Sequence, residues 1–248
     1  MKHFIAHVRK TDQSEQTVAT HLTETAAIAR ALAAKLDLPE VGELLGLMHD
    51  FGKYSAAFQA YIKAATGVNP DVDVEDTLPN GQKIDHSTAG AQWIYRRLKK
   101  FGAQNGIGEL VGQMLGLCIA SHHGAGLIDC LSPEGGAVWR TRFDKDDALT
   151  HLSECEQNAD EVVKRQAEGL ANQDLVDLLK KSIIKILKQP NSNDKIKEFY
   201  LGCLTRFLFS CLIDADRTNS ADFERGVQKD VCCLTTKPNW QEAIHTMS

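Results

Sequence analysis

The chain has 248 residues, of which 43% are hydrophobic, so it is long enough to bury a sizeable core as one domain. Its formal net charge is −5, which excludes the strongly basic surface that independent nucleic-acid-binding proteins usually carry. If the substrate is a nucleic acid, affinity must come from bound metal cations, a local basic patch or a partner protein. The N-terminus lacks the apolar run of a signal peptide, and no segment approaches about 18 consecutive apolar residues, so we expect no membrane association.

The seven cysteines show neither CxxC spacing nor the even number typical of a disulfide framework. Two of them, Cys232 and Cys233, are adjacent. We therefore predict reduced thiols in a cytoplasmic protein that is monomeric when isolated.

Apolar residues recur at helical spacing through most of the chain, which predicts an all-α domain. Near the N-terminus, Phe4–Val8 resembles a short strand, and Thr20 or Thr23 is placed to cap the first helix. We expect a core over about residues 3–225, a tail over 226–248, and everything from Asn219 onward to be peripheral. The expected helices lie at 20–36, 39–52, 55–66, 87–101, 107–121, 144–187 and 195–215, with loops at 67–81 and 124–136.

Imidazole and carboxylate groups stand in or at the ends of several of these apolar helices. In chain order they are His21, His49, Asp50, His86, His122, His123 and Asp216. Such groups are costly to bury unless they are paired or bound to metal, so helix ends meeting at one point would supply ligands for two ions. Nitrogen and oxygen donors without thiolate suit Mn, Fe, Co, Ni or Mg better than structural zinc. Two such ions are a common solution for phosphoester hydrolysis, because one activates water and both neutralise charge on the phosphoryl oxygens.

Each group also has a simpler interpretation. A single histidine on a helix is more often solvated or hydrogen-bonded, and the dipeptide His-Asp is common by chance. Asp216 could form an ion pair with Arg217. Asp214 competes with Asp216, but two residues on a helix point about 200° apart, so we expect only one of them to be a ligand. The order of the whole set, with each member at the edge of an apolar helix, favours the metal centre.

The ordered set occurs together with Ala6-His7 and the strings HDFGK, DHS, SHHG and LIDADRTNSADF. This combination resembles the HD phosphohydrolase superfamily and, within it, the HD nuclease domain of the type I CRISPR-associated helicase–nuclease. The resemblance covers residues 3–225 and implies an HD-domain helical bundle with a metal site at converging helix ends. It also implies cleavage of single-stranded DNA by nicking and exonuclease-like degradation. The implied partners are a helicase domain or subunit and the CRISPR surveillance complex.

The same resemblance assigns roles to individual residues. Asp50 would bridge two metals and, with Lys53, form the catalytic pair, because Lys53 would contact the scissile phosphate or orient the attacking water. Lys53, Ser87 and Arg217 are the expected substrate contacts, although Ser87 could instead cap the following helix, which we favour, and Lys53 could be an exposed helix-end residue. Residues 125–138 could gate the site or form an ordinary surface loop. The first metal would be held by His21, His49, Asp50 and Asp216, and the second by Asp50, His86, His122 and His123.

One feature of a helicase–nuclease is missing, since the chain contains no GxxxxGK[ST] phosphate-binding loop. We therefore expect residues 1–248 to be a single HD nuclease domain, either separately encoded or the N-terminal part of a longer helicase-containing chain. Two other functions stay open. An HD-type nucleotide or cyclic-nucleotide phosphohydrolase would use the same chemistry in a closed pocket, and a non-catalytic interaction module need not bind two metals.

Overall fold

A computed structural model describes residues 3–68, 84–102, 106–124, 126–128, 132, 134–190 and 193–227. Most of the predicted loop at 67–81, part of the loop at 124–136 and nearly all of the tail at 226–248 lie outside these residues. The described helices and strands are β1 Ile5–Val8, β2 Glu15–Thr17, α1 Val18–Ala33, α2 Pro39–Met48, α3 Ala56–Val68, α4 Thr88–Leu98, α5 Ile107–Ser121, α6 Arg140–Phe143, α7 Asp147–Thr150, α8 Leu152–Asn158, α9 Glu161–Leu170, α10 Gln173–Leu187 and α11 Asp194–Arg225. Short 3-10 turns follow α1 at Ala34–Leu36 and α2 at Phe51–Tyr54.

The all-α prediction is confirmed, with one small addition at the N-terminus. The strand expected at Phe4–Val8 is present as β1, and it pairs antiparallel with β2 in the register Ile5↔Thr17. The second strand was not predicted, because three residues are too few to show an alternating pattern. This hairpin is the one sheet in the described part of the chain.

The residue that caps the first helix is Thr17, three residues before the nearer of the two predicted caps. The Thr17 side chain accepts a hydrogen bond from Thr20 N at 3.1 Å, an arrangement that stabilises a helix start by about 1 kcal/mol. Thr23 instead donates to the carbonyl of Ala19 at 2.8 Å, inside the helix. The prediction that Thr20 or Thr23 caps α1 is therefore wrong, since both already lie within the helix.

Small residues let α1 and α2 pack unusually close together. A side chain at Gly46 would place its Cβ 2.5 Å from the Cα of Ala26, so only glycine fits at this crossing. A buried histidine lies at the end of this interface on each helix: His21 in α1 and His49 directly after α2, neither of which is exposed. Close helix packing thus determines how near these two imidazoles can approach.

The central part of the bundle is α5, which packs against α4 on one side and α11 on the other. Eleven of its fifteen residues are buried, in agreement with the prediction of a buried helix at 107–121. The main core around it includes side chains such as Leu115, Ile94 and Leu212, none of which is exposed. The two helix-end histidines after α5 therefore sit on a rigid, densely packed support.

The C-terminal half differs from the prediction in two ways. The segment 144–187 is four helices, α7 to α10, and not one, because turns at His151, Ala159 and Ala171 interrupt the polar pattern. The last helix does not end near Ala215 but continues to Arg225, so it spans 32 residues or about 48 Å. Asn219 is consequently a buried residue of α11, and the prediction that it begins a peripheral segment is wrong.

Among the described residues, no helix combines the length and the apolar character needed to span a bilayer.

Candidate metal centre

The first group of predicted ligands comes from three helices. His21 lies in the first turns of α1, His49 and Asp50 directly follow α2, and Asp216 lies on α11. His21 Nε2 is 3.1 Å from both His49 Nε2 and Asp50 Oδ2, and His49 Nε2 is 3.4 Å from Asp216 Oδ1. One ligand atom from each of these four residues lies within 4.8 Å of the others, so together they could hold one metal ion.

The second group uses the other oxygen of the same carboxylate. Asp50 Oδ1 is 3.1 Å from His122 Nε2 and 3.5 Å from His123 Nε2, and both histidines directly follow α5. His86, two residues before α4, places its Nε2 2.6 Å from His123 Nε2. These four residues form a second set with the geometry of a metal site. Asp50 is thus shared between the two groups, as a bridging carboxylate would be.

The outer nitrogens of four of these imidazoles are occupied by oxygen acceptors. Such an oxygen can only accept, so in the neutral ring the proton lies on Nδ1 and the lone pair on Nε2 points into the centre. Facing lone pairs repel unless a cation lies between them, so the donor set fits divalent ions. The Nδ1–oxygen distances are 2.8 Å for His49 to Gly46, 3.1 Å for His86 to Ile84, and 2.7 Å for His122 to Ile119 and for His21 to Asn219.

The charges around the two ligand groups also favour a bound cation. Burial raises the pKa of Asp50, but Lys53 and His49 outweigh it and hold the pKa well below its ordinary value. Burial lowers the pKa of His86 to about 3 against the opposing charge of Asp50, so this ring is neutral, which is the form in which an imidazole binds metal. Burial also lowers the pKa of His49, but Asp50 and Asp216 outweigh it and raise the pKa to about 10. A positive charge is therefore favoured between these two carboxylates.

Lys53 is buried beside the shared carboxylate. Its Nζ lies 2.8 Å from Asp50 Oδ2 and 3.4 Å from the carbonyl oxygen of Ala6, and only 4% of the residue is exposed. The ammonium also lies 5.4 Å from the centre of the Phe58 ring. The simpler interpretation of Lys53 as an exposed helix-end residue is therefore wrong, because the 3-10 turn after α2 directs its side chain into the centre.

The centre opens into a cavity of about 340 Å³. Ligands from both groups line it together with Lys53, and its outer wall comes from β1, α3 and the C-terminal part of α11. This volume lies near the lower end of the range for ordinary ligand pockets. The wall residues outside the ligand groups include His7, Lys10, Phe58, Ser220 and Phe223.

Ser87 does not cap α4 through its side chain. The residue is buried, and the N–H of Thr88 is bound instead by Asp85 Oδ1 at 3.0 Å. Asp85 is held in turn by Arg142 and Lys145, so an ion-paired carboxylate fixes the helix start beside His86. The favoured prediction of a Ser87 cap is wrong, and Ser87 is not part of the cavity wall.

Arg217 lies away from the cavity. It lines a separate surface depression between α1 and α11, together with Asp214, Ile28 and Leu32. Asp216, and not Asp214, stands beside the histidines of the first group, as the opposite directions of these two residues on a helix require. The structure therefore does not bring Arg217 together with the other predicted substrate contacts.

Gly52 of the string HDFGK explains how His86 reaches the centre. The N–H of Gly52 donates to the carbonyl of His86 at 3.0 Å, and a Cβ on Gly52 would lie only 2.3 Å from that oxygen. The absence of a side chain thus allows the turn after α2 to contact the backbone of the segment before α4.

Part of the predicted gating loop, 125–138, lies outside the described residues. At its described start, the Ser121 hydroxyl accepts a hydrogen bond from Ile128 N at 2.9 Å. This contact draws the chain after the two histidines back over the end of α5.

Two residues at the centre were not assigned a role from the sequence. His7 packs edge-on against His21 with ring centroids 4.6 Å apart, and its Nε2 lies 3.4 Å from Lys53 Nζ. Burial, with the charge of Lys53, lowers the pKa of His7 well below its ordinary value. Asn219 binds the outer nitrogen of His21. His7 belongs to the dipeptide Ala6-His7 and Asn219 to the string LIDADRTNSADF. Both strings contributed to the family resemblance, but the sequence indicated no role for these two residues.

Comparison with known proteins places the chain in a family. The family model described as Cas3, HD domain, matches residues 8–187, which is most of the chain and includes every predicted ligand except Asp216. The crystal structure of T. fusca Cas3 is 21% identical, with a TM-score of 0.31, and the match covers 87% of this chain. This chain spans 25% of that structure's length. The curated proteins contain no match. The chain belongs to the Cas3 HD-domain family, a CRISPR-associated family of HD nucleases.

Proposed function

We propose that this chain hydrolyses phosphodiester bonds of single-stranded DNA in type I CRISPR interference, using two divalent ions. One observation carries the proposal: two groups of four ligands share the buried carboxylate of Asp50 at the base of one cavity. A non-catalytic module would have no reason to keep so many costly buried groups aimed at one point.

Two ions would be held by two groups of residues that share Asp50. His21, His49 and Asp216 would complete the first set. When bound, Mn, Fe, Co, Ni or Mg would polarise water and offset the negative charge of the phosphate. The second set would be completed by His86, His122 and His123.

The substrate would be read through its phosphate. Lys53 lies in the cavity wall beside Asp50, so its ammonium is placed to bind a phosphate oxygen or to orient water. Asp50 would align the attacking water, since it contacts both ligand groups. Contacts to phosphate carry little sequence information, so we expect little preference among bases. Ser87 and Arg217 are not proposed as contacts to the reacting phosphate, because neither lines the cavity.

Membership of the family supports a wider assembly. We propose that residues 1–248 form one nuclease domain that acts with a helicase domain or subunit, and with the CRISPR surveillance complex, in the cytoplasm. The net charge of −5 supports a partner, because it gives the isolated chain little general attraction for DNA.

The test is to strip the purified protein of metal and add Mn, Fe(II), Co, Ni, Mg or Zn separately with labelled single-stranded DNA. His49→Ala and Asp50→Ala remove one ligand and the shared ligand, and both should abolish cleavage. His3→Ala is the matched control, because this exposed histidine pairs only with Glu15 in the described structure and should leave cleavage unchanged.

A cleavage activity that persists in both ligand variants would not belong to this centre. If two ions bind and no strand is cut with any metal, the nuclease proposal fails. Hydrolysis of nucleotides or cyclic nucleotides by the same preparation would then support the other phosphohydrolase function.

A further inference from the structure

The ligand His21 is held differently from the other metal-centre imidazoles described above. The outer nitrogens of His49 and His122 bind backbone carbonyls three residues earlier, so each is oriented by its own helix turn. His21 Nδ1 instead lies 2.7 Å from Asn219 Oδ1, a side chain 198 residues away on α11. The orientation of this one ligand therefore depends on a long-range contact.

The direction of the Asn219 amide is fixed by its other neighbour. Asn219 Nδ2 donates to Glu24 Oε2 at 2.7 Å, and an ionised carboxylate can only accept. The amide oxygen must then face His21, where it also accepts from Gln16 Nε2 at 3.0 Å. Gln16 Nε2 itself lies 3.1 Å from Glu24 Oε2, so the three side chains form one closed network.

This network determines which nitrogen of His21 carries the proton. An amide oxygen cannot donate, so the His21 Nδ1 must be the donor, and the lone pair is left on Nε2, which faces His49 and Asp50. His21 is fully buried and Asn219 is 5% exposed, so water does not compete readily for these contacts. A chain of hydrogen bonds thus runs from the carboxylate of Glu24 through the amide of Asn219 to the imidazole of His21, which points into the first ligand group.

We propose that Asn219 is a positioning residue of the metal centre, which together with Glu24 fixes the tautomer and orientation of His21 for the first ion. The inference rests on the proposed metal-dependent function. It goes beyond the ligand set, because neither residue belongs to either ligand group. Contacts of this kind in metal sites typically alter metal affinity by about 10–100-fold.

The test is to titrate the metal-free protein with Mn²⁺ alone and to measure the affinity of each site by isothermal titration calorimetry. Asn219→Leu keeps a similar volume and removes the acceptor, so we expect the first site to weaken by about 10–100-fold while the second is unchanged. Glu24→Gln should also weaken the first site, because Asn219 can then turn its amide round. Glu43→Gln is the control, since this carboxylate pairs with Arg30 outside the centre.

Exchanging the carboxylate of residue 24 and the amide of residue 219 should restore the metal affinity. In the double variant Glu24→Gln with Asn219→Asp, the new amide can donate to the new carboxylate, and that carboxylate still accepts from His21. We expect this variant to recover most of the lost affinity. Thermal unfolding of every variant shows whether it folds.

Two results would overturn the inference: Asn219→Leu binding both ions as tightly as the unchanged protein, or weakening both sites together without rescue in the exchange variant. If the unchanged protein binds no Mn²⁺, the proposed function fails instead. Nitrogen-15 NMR of metal-free protein then still decides about Asn219, because it identifies the protonated nitrogen of His21 in the unchanged protein and in Asn219→Leu. The same tautomer in both would overturn the inference.

Discussion

Substitution of Gly52 by alanine tests how the second ligand group is built. The new Cβ would lie 2.3 Å from the carbonyl oxygen and 2.5 Å from the Cα of His86, and both are backbone atoms that cannot rotate away. The segment before α4 would have to retreat by about 1 Å to restore ordinary contact distances. A displacement of this size is enough to cost a catalytic site about 100-fold in rate. Overpacking of this kind also lowers the free energy of unfolding by about 1–3 kcal/mol.

We therefore expect Gly52→Ala to weaken Mn²⁺ binding at the His86 site selectively and to slow any cleavage of single-stranded DNA, both measured against the unchanged protein. Gly169→Ala in α9 is the matched control, because its Cβ would meet no atom within 4 Å and the helix should gain about 0.5–1 kcal/mol. If Gly52→Ala binds Mn²⁺ at both sites as tightly as the unchanged protein and melts at the same temperature, the reasoning is refuted.

Three further predictions concern single side chains. Lys53→Met should bind both metals but lose about 100-fold in cleavage rate, because a charged donor beside the reacting phosphate is removed; a rate within the error of the unchanged protein would exclude that role. Asp216→Asn should lower the Mn²⁺ stoichiometry from two to one while Asp214→Asn leaves it at two, and the reverse pattern would reassign the ligand. Burial raises the pKa of the Cys118 thiol, so peptide mapping after brief alkylation should find exposed Cys203 modified and Cys118 unmodified; equal labelling of both would show that the core opens readily.

The sequence by itself determined the helical class and predicted the candidate ligands, which the structure brings together in two groups. Periodicity is a local property, so α5 was predicted at its observed bounds, and the first strand was found within one residue. The histidines and aspartates were recognisable because each interrupts an apolar segment, where an imidazole or carboxylate needs a specific partner.

Only the tertiary structure decided how these groups are arranged. It placed Asp50 between the two ligand groups, buried Lys53 against it, and separated Arg217 from the cavity. It also extended α11 past the expected end, which brought Asn219 to His21 across 198 residues of sequence. Such contacts depend on how helices cross, and a helix crossing is set by the packing of distant side chains that no local pattern records.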